Sequence, residues 1–351
     1  MNRQQLILNY IKNKLEEKKI KIKLLMLTKT GSHLYGTNTQ NSDEDYVGIF
    51  VPIEKKYFFG FHNIEEIDLS KQIKNEAGKN TKDSLDLKLY SLKKFVKLAL
   101  ENNPNIIELL YAHTNKNAII YNTPEFNLFE QKAKHFINQR VYKSFLGYAK
   151  SQLKKGVQKP ENFKLLIDLQ KDISNAINKE NKSIPFGEAV QTISKLTKYK
   201  KYLINGGFVL GHLTFPRNYH LKKILKMVNQ KIKTASHRSK EWAEKGYDSK
   251  FWMHLFRLLD EGKSLILKQK LTFPLQNKDF LLDIRNGKYT LEELQKMFEK
   301  KHQKFELLQE NELKKLPEKG NVKLIENLLI ETTYKILEQY SLKEKEYLFL
   351  S

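Results

Sequence analysis

Two aspartates spaced two residues apart constrain this chain more than anything else in it. They occur in Asp43-Glu44-Asp45, at the mouth of a strand-like run, Tyr46-Val-Gly-Ile-Phe-Val51. In an extended strand such residues project from one face, roughly 7 Å apart along the chain. Asp43 and Asp45 therefore present a pair of hard carboxylate oxygens, the kind that binds Mg²⁺ together with substrate phosphates and retained waters. Upstream lies a second strand-like run, Lys21-Ile-Lys-Leu-Leu-Met-Leu-Thr28, followed by Gly31-Ser32. A strand feeding a glycine turn and a short helical stretch exposes backbone N–H groups that suit phosphate oxygens. Gly31 permits close approach of the backbone, and Ser32 adds a hydroxyl at the helix start.

A third carboxylate, Asp86, sits in Ser84-Leu-Asp-Leu-Lys-Leu-Tyr90. Leu85, Leu87 and Leu89 alternate there with Asp86, Lys88 and Tyr90, and a period of two reads as a half-buried strand with Asp86 and Lys88 on one side. Three carboxylates would complete a site in which two ions about 3.5–4 Å apart clamp the attacking and leaving oxygens of an in-line displacement. Gly-Ser alone is a common turn, and Asp-x-Asp alone is usually a solvated strand edge. The spacing between two strand-like runs is what gives the pair its meaning.

These residues resemble the signature of the DNA polymerase β-like nucleotidyltransferase superfamily. More narrowly, Gly31-Ser-His-Leu-Tyr-Gly36, Ser42-Asp43, and Asp86 followed by Tyr90-Ser-Leu-Lys-Lys-Phe95 look like a predicted nucleotidyltransferase branch of bacteria and phages, some members of which are associated with RNA repair. The likeness continues through Asn103-Pro-Asn-Ile-Ile-Glu-Leu-Leu-Tyr111 and reappears in Gly246–Leu259 and Leu281–Thr290. It implies an α+β fold: an N-terminal polymerase β-like domain, a mixed sheet with flanking helices, then a mainly helical C-terminal domain.

The activity implied is transfer of a nucleoside monophosphate from a nucleoside triphosphate (NTP) to an acceptor hydroxyl or phosphate, with release of pyrophosphate and two Mg²⁺ or Mn²⁺ ions as cofactors. Asp43, Asp45 and Asp86 are then the catalytic metal ligands, Asp86 is also a candidate general base, and Gly31, Ser32 and Lys88 bind the nucleotide. The acceptor implied is an RNA, tRNA-like end. The alternatives are nucleotidylation of a protein partner, as in antitoxin-like members, or of a small molecule, or a noncatalytic regulatory role. One departure stands out: the middle residue of Asp-x-Asp is usually apolar in the superfamily and is Glu44 here. It is expected to face away from the metals; an inward bulge would reopen the assignment of ligands.

The chain has 351 residues, enough for two domains with ordinary cores. No run of eighteen apolar residues occurs, so a membrane-spanning helix is not expected. The first residues lack the apolar core of a signal peptide, and the absence of cysteine removes disulfides, thiolate zinc sites and cysteine nucleophiles. A cytoplasmic location is the resulting expectation. A net charge of +23 invites a nucleic-acid partner through counterion release. The excess is overwhelmingly lysine in an Asn- and Ile-rich chain, however, which an AT-rich coding sequence produces without any partner. The arginines (Arg3, Arg140, Arg217, Arg238, Arg257 and Arg285) are individually more informative, because a guanidinium offers phosphate a bidentate contact.

Periodicity predicts a helix over 2–19, strands near 21–29, 43–51, 63–69 and 84–90, and helices near 91–101 and 105–111, the last opened by Asn103-Pro104. Lys71–Lys82 reads as a loop ahead of Asp86. The domain boundary is placed at Asn122-Thr-Pro124, giving a catalytic domain over 1–123 and a helical acceptor domain over 124–351. Helices are predicted there near 124–132, 138–155, 161–179, 187–198, 219–244, 248–269, 278–286, 291–315 and 322–341. A hairpin is predicted near 199–215, where Asn205-Gly206 is a strong turn signal. On the helix near 248–269, His254 and Arg257 share a face and are candidate nucleotide-binding residues reaching the triphosphate or the acceptor phosphate; bonding within the core is the competing reading. His237-Arg238 lies in a similar basic setting, and Tyr142, Phe145 and Tyr148 are candidates to stack a base or to fill a core.

Overall fold

The computed structural model describes residues 3–39, 42–71, 73, 84–178, 180–210, 213–233 and 246–348. Most of the predicted loop Lys71–Lys82, and His237-Arg238, lie outside these residues.

The N-terminal region is a mixed five-stranded sheet with flanking helices. Its strands are β1 (Ile22–Lys29), β2 (Asp45–Pro52), β3 (Glu66–Asp68), β4 (Asp86–Ser91) and β5 (Ile119–Asn122), in the order β3-β4-β2-β1-β5. β2 and β4 are parallel and the other pairs are antiparallel. Alternation decides which face each side chain takes. Leu27, Tyr46, Phe50, Leu87 and Leu89 form one buried face, covered by Ile7, Ile11 and Leu15 of helix α1 (Arg3–Glu17), whose four-residue spacing makes a single apolar stripe. The helices Leu92–Leu100 and Pro124–Gln131 pack on β2 and β1. Ser91 caps the first by accepting from the Lys94 N–H, and Thr123 with Pro124 starts the second.

The chain forms two compact units, and neither ends at residue 123. The first comprises Met1–Ala149, Phe256–Leu282 and Glu299–Ser351; the second comprises Lys150–Leu255 and Asp283–Phe298. Burial explains why residues beyond 123 belong with the sheet. Phe126 stacks 5.4 Å from Phe95, and the carbonyl of Phe136 accepts from Asn102 Nδ2 at 2.8 Å. Pro317 accepts from the Gln139 N–H at 2.9 Å, tying a C-terminal segment to the same unit.

The second unit is built on Leu166, Leu169, Ile173, Phe186, Phe208, Phe215 and Ile224. The predicted hairpin is there, with β6 (Leu203–Ile204) and β7 (Gly207–Leu210) joined by Asn205-Gly206, and it gains a third strand, β8 (Leu213–Phe215). A lone two-stranded ribbon is marginal, and Phe215 of the added strand is buried in this core. Two helices were expected on either side of Pro160, but one helix runs from Arg140 to Ala176. Proline removes a single helical hydrogen bond, and buried residues before and after it, Phe145 and Leu166 among them, hold the helix.

Candidate active site

The register of the two parallel strands builds the site. Asp45, the first residue of β2, is directly opposite Asp86, the first residue of β4. Register partners on adjacent strands lie about 4.8 Å apart and point to the same face, so the two carboxylates are neighbours. Continuing across the sheet, Lys88 of β4 pairs with Asp68 of β3 and Tyr90 with Glu66. Asp43, Asp45, Asp68, Ser70, Asp86 and Lys88 line one cavity of about 350 Å³. Ser70 Oγ donates to Asp86 Oδ1 at 3.2 Å and accepts from the Leu87 N–H at 3.1 Å, which orients the Asp86 carboxylate. Partial burial would lower the pKa of Lys88, but Glu66, Tyr90, Asp68 and Asp86 around it prevail and raise it, so it stays a cation.

Gly31 approaches the same site from the other side. Its backbone has φ +60°, a conformation that favours glycine, and a methyl group built on it would stand 3.4 Å from Asp45 Oδ2. Helix α2 (Ser32–Tyr35) starts immediately after and is closed by Gly36 in the left-handed conformation. Three contacts hold α2 from behind. Asn115 Nδ2 donates to the carbonyls of His33 and Leu34, the Leu275 N–H donates to the Tyr35 carbonyl at 3.0 Å, and Tyr35 Oη donates to Glu108 Oε2 at 2.7 Å.

Glu44 faces away, as alternation requires. It shares the side of Tyr46, and its carboxylate accepts from Lys29 Nζ at 2.5 Å, Tyr46 Oη at 2.7 Å and Arg3. Partial burial alone would raise its pKa. Hydrogen bonds from Lys29, Tyr46 and Arg3 outweigh that and pull it to about 2. Because the folded value lies below the unfolded one, this contribution to stability is present above the ordinary value of 4.5 and is lost as pH falls toward about 2. Glu44→Gln is therefore expected to cost on the order of 1–2 kcal/mol at pH 7 after allowance for solvent screening. The gap to the natural protein should close in acid; chemical denaturation at pH 7 and pH 3 checks it, and an equal gap at both would remove the ion-pair account.

Arg257 is not in this cavity. Its guanidinium is 4% exposed, donates to Glu108 and to Glu261 Oε2 at 2.7 Å, and lies 4.4 Å over the ring of Tyr35. It reaches the Gly-Ser segment only through Tyr35, as a support behind α2. His254 is half-buried and belongs to the second compact unit. Tyr142 and Phe145 are core residues, the former stacked on Phe305 at 5.2 Å, while the exposed Tyr148 accepts from Asn103 Nδ2. Sequence reading missed Ser70, Asp68 and Glu66, although Glu66, Asp68 and Ser70 alternate with Ile67 and Leu69 in the period-two pattern that marks strands. The anchors Glu108 and Glu261 left no local signal.

Among the described residues, no three acidic or histidine side chains converge into a finished ion cage. Mg²⁺ takes one or two protein carboxylates and fills its shell with water and phosphate oxygens. Paired exposed oxygens on neighbouring strand heads suit that ion, and Asp45, Asp86 and Asp43 are the residues that would hold it.

A mixed sheet with paired aspartates at the heads of two parallel strands, and a glycine turn against one of them, is the architecture of polymerase β-like nucleotidyltransferases, a class that uses divalent metal ions and nucleoside triphosphates. The chain belongs to the RNA repair pathway DNA polymerase beta family, whose model matches residues 7–179. It is also 30% identical to an uncharacterized 38.9 kDa protein from the nrdC-mobD intergenic region of Enterobacteria phage T4, over 77% of this chain and 84% of that one. No described helix is long and apolar enough to cross a membrane.

Proposed function

We propose that the protein transfers a nucleoside monophosphate from an NTP to the end of an RNA, in a reaction dependent on Mg²⁺ or Mn²⁺. The observation that carries this reading is the Asp45–Asp86 register pair with the Gly31 backbone against Asp45. In the reaction an acceptor hydroxyl oxygen bonds to the α-phosphorus, the bond to the bridging oxygen of the β-phosphate breaks, and pyrophosphate leaves. Divalent ions, when bound, would supply charge neutralisation for the phosphates. The chain's own residues position the reactants, which for phosphoryl chemistry is most of the work.

Asp43 and Asp45 hold the triphosphate's cations, and the N–H groups following Gly31 and the Ser32 hydroxyl face its oxygens. Lys88 balances charge on the Asp86 side. Ser70 occupies Asp86 Oδ1, so Oδ2 is the oxygen that takes the acceptor's proton. RNA is the favoured acceptor because the matching family is described as belonging to an RNA repair pathway and the chain carries a net charge of +23.

The test incubates the protein with each α-labelled triphosphate, Mg²⁺ or Mn²⁺, and separate pools of RNA, DNA and protein. Label is expected in RNA, with stoichiometric pyrophosphate. Its initial rate should fall with salt at a log–log slope of about −0.7 per phosphate contacted. Label appearing only in the protein pool would replace the acceptor, and no label in any pool would overturn the reading.

A further inference from the structure

A second cavity, of about 350 Å³, lies in the first compact unit away from the paired aspartates, and Arg257, Glu261, Asn277, Lys268, Lys270 and Lys301 are among the residues that line it. Arg257 and Glu261 are 4% and 2% exposed, and each keeps one buried polar atom without a hydrogen-bond partner in the protein: Nε of Arg257 and Oε1 of Glu261. Leaving such an atom unmet costs about 1–3 kcal/mol, so two in the wall of one cavity mark a place built for an occupant. Lys301 is engaged with Asp260, which also accepts from Asn277 Nδ2 at 2.6 Å. Lys268 and Lys270 are exposed and have no acidic partner among the described residues.

We infer that this cavity binds a small phosphate monoester, with the phosphate held by Lys268 and Lys270 and by the Arg257 Nε–H. The signs of charge favour an anion: the acids of the lining are already spoken for, Asp260 by Lys301 and Glu261 by Arg257, while two ammonium groups and one N–H donor are not. Burial, opposed by Arg257 and reinforced by the nearby Glu108, pushes the Glu261 carboxyl well above the usual range, so it does not repel the ligand as a full negative charge. The volume is at the lower end of small-molecule pockets and matches a mononucleotide better than a polymer. An occupant would touch Arg257, the residue that supports Tyr35 behind the Gly31-Ser32 turn. The inference stands apart from the catalytic reading, since none of these residues lies in the aspartate site.

Calorimetric titration of the full chain in EDTA, with AMP, inorganic phosphate and adenosine as probes, tests it. EDTA and a parallel Asp45→Asn protein keep the aspartate site out of the readout. AMP is expected to bind with one-to-one stoichiometry and adenosine at least tenfold more weakly. Lys268→Ala with Lys270→Ala should weaken AMP at least tenfold, as should Arg257→Lys, which keeps the cation and removes Nε–H. The lysine pair is exposed, so that variant decides the matter even if the buried substitution unfolds the protein. Phosphate binding as tightly as AMP, with the same lysine dependence, would identify the free anion as the ligand. No saturation by either anion below about 10 mM, affinity within twofold after the lysine substitutions, or loss of binding in Asp45→Asn would each overturn it.

Discussion

Asp45→Asn is expected to lower nucleotidyl transfer by about three orders of magnitude while leaving the fold intact. Removing one preorganised electrostatic contact at a reacting centre typically costs 10²–10³-fold, and here the lost charge also belongs to the oxygens that face Asp86 across the strand pair. The substitution is isosteric and sits at the end of β2, where the backbone carbonyl, not the side chain, accepts from the Thr30 N–H at 2.8 Å. Stability should therefore hold or rise slightly as repulsion between neighbouring carboxylates is relieved. Turnover and thermal melting must be measured on the same preparation. Activity within tenfold of the natural protein at unchanged melting temperature would remove Asp45 from the reaction. Asp86→Ala should separate two functions, lowering the rate far more than it weakens triphosphate binding by calorimetry. Equal losses of both would make Asp86 a binding residue only.

Arg257→Ala is expected to destabilise the first compact unit by about 3–5 kcal/mol, the cost of stranding buried charge. The guanidinium is the cation between Glu108 and Glu261 and also packs on the Tyr35 ring, so its truncation leaves two acids in a dry site and a cavity beside α2. Neutralising the acids as well, with Glu108→Gln and Glu261→Gln, should recover at least half of the loss, because well-packed neutral groups replace a buried ion cluster at little cost. Urea unfolding of the single and triple variants provides the comparison. A loss under about 1 kcal/mol in the single variant would show that the cluster is solvated and carries little.

Periodicity exposed the strands because each has one buried face. Leu87 and Leu89 against Asp86 and Lys88 is a pattern that only an extended chain with one wet side produces. The same rule turned Glu44 away from Asp43 and Asp45, and its partners Lys29, Tyr46 and Arg3 are what make an acid tolerable there. The Asn205-Gly206 turn was equally local, since two residues set its geometry. Ser70 was within reach of the same reasoning, one step past the strand that ends at Asp68. Arg257 was not: three residues from His254 on an apolar helix, it carries no local sign that its partner Glu108 lies 149 positions away.

What the sequence by itself determined was the set of short-range facts: which runs are strands, which carboxylates share a face, where glycine lets the chain turn toward a phosphate. These depend on backbone geometry repeated every two residues, so neighbours in the chain suffice to read them. Only the tertiary structure decided that Asp45 stands opposite Asp86, that Ser70 orients the latter, that Arg257 braces α2 from beneath, and that segments 256–282 and 299–351 fold with the sheet. Register between strands and the pairing of buried charges are settled by contacts between residues far apart in the chain. Their energies come from the burial of complementary surfaces and appear only once those surfaces meet.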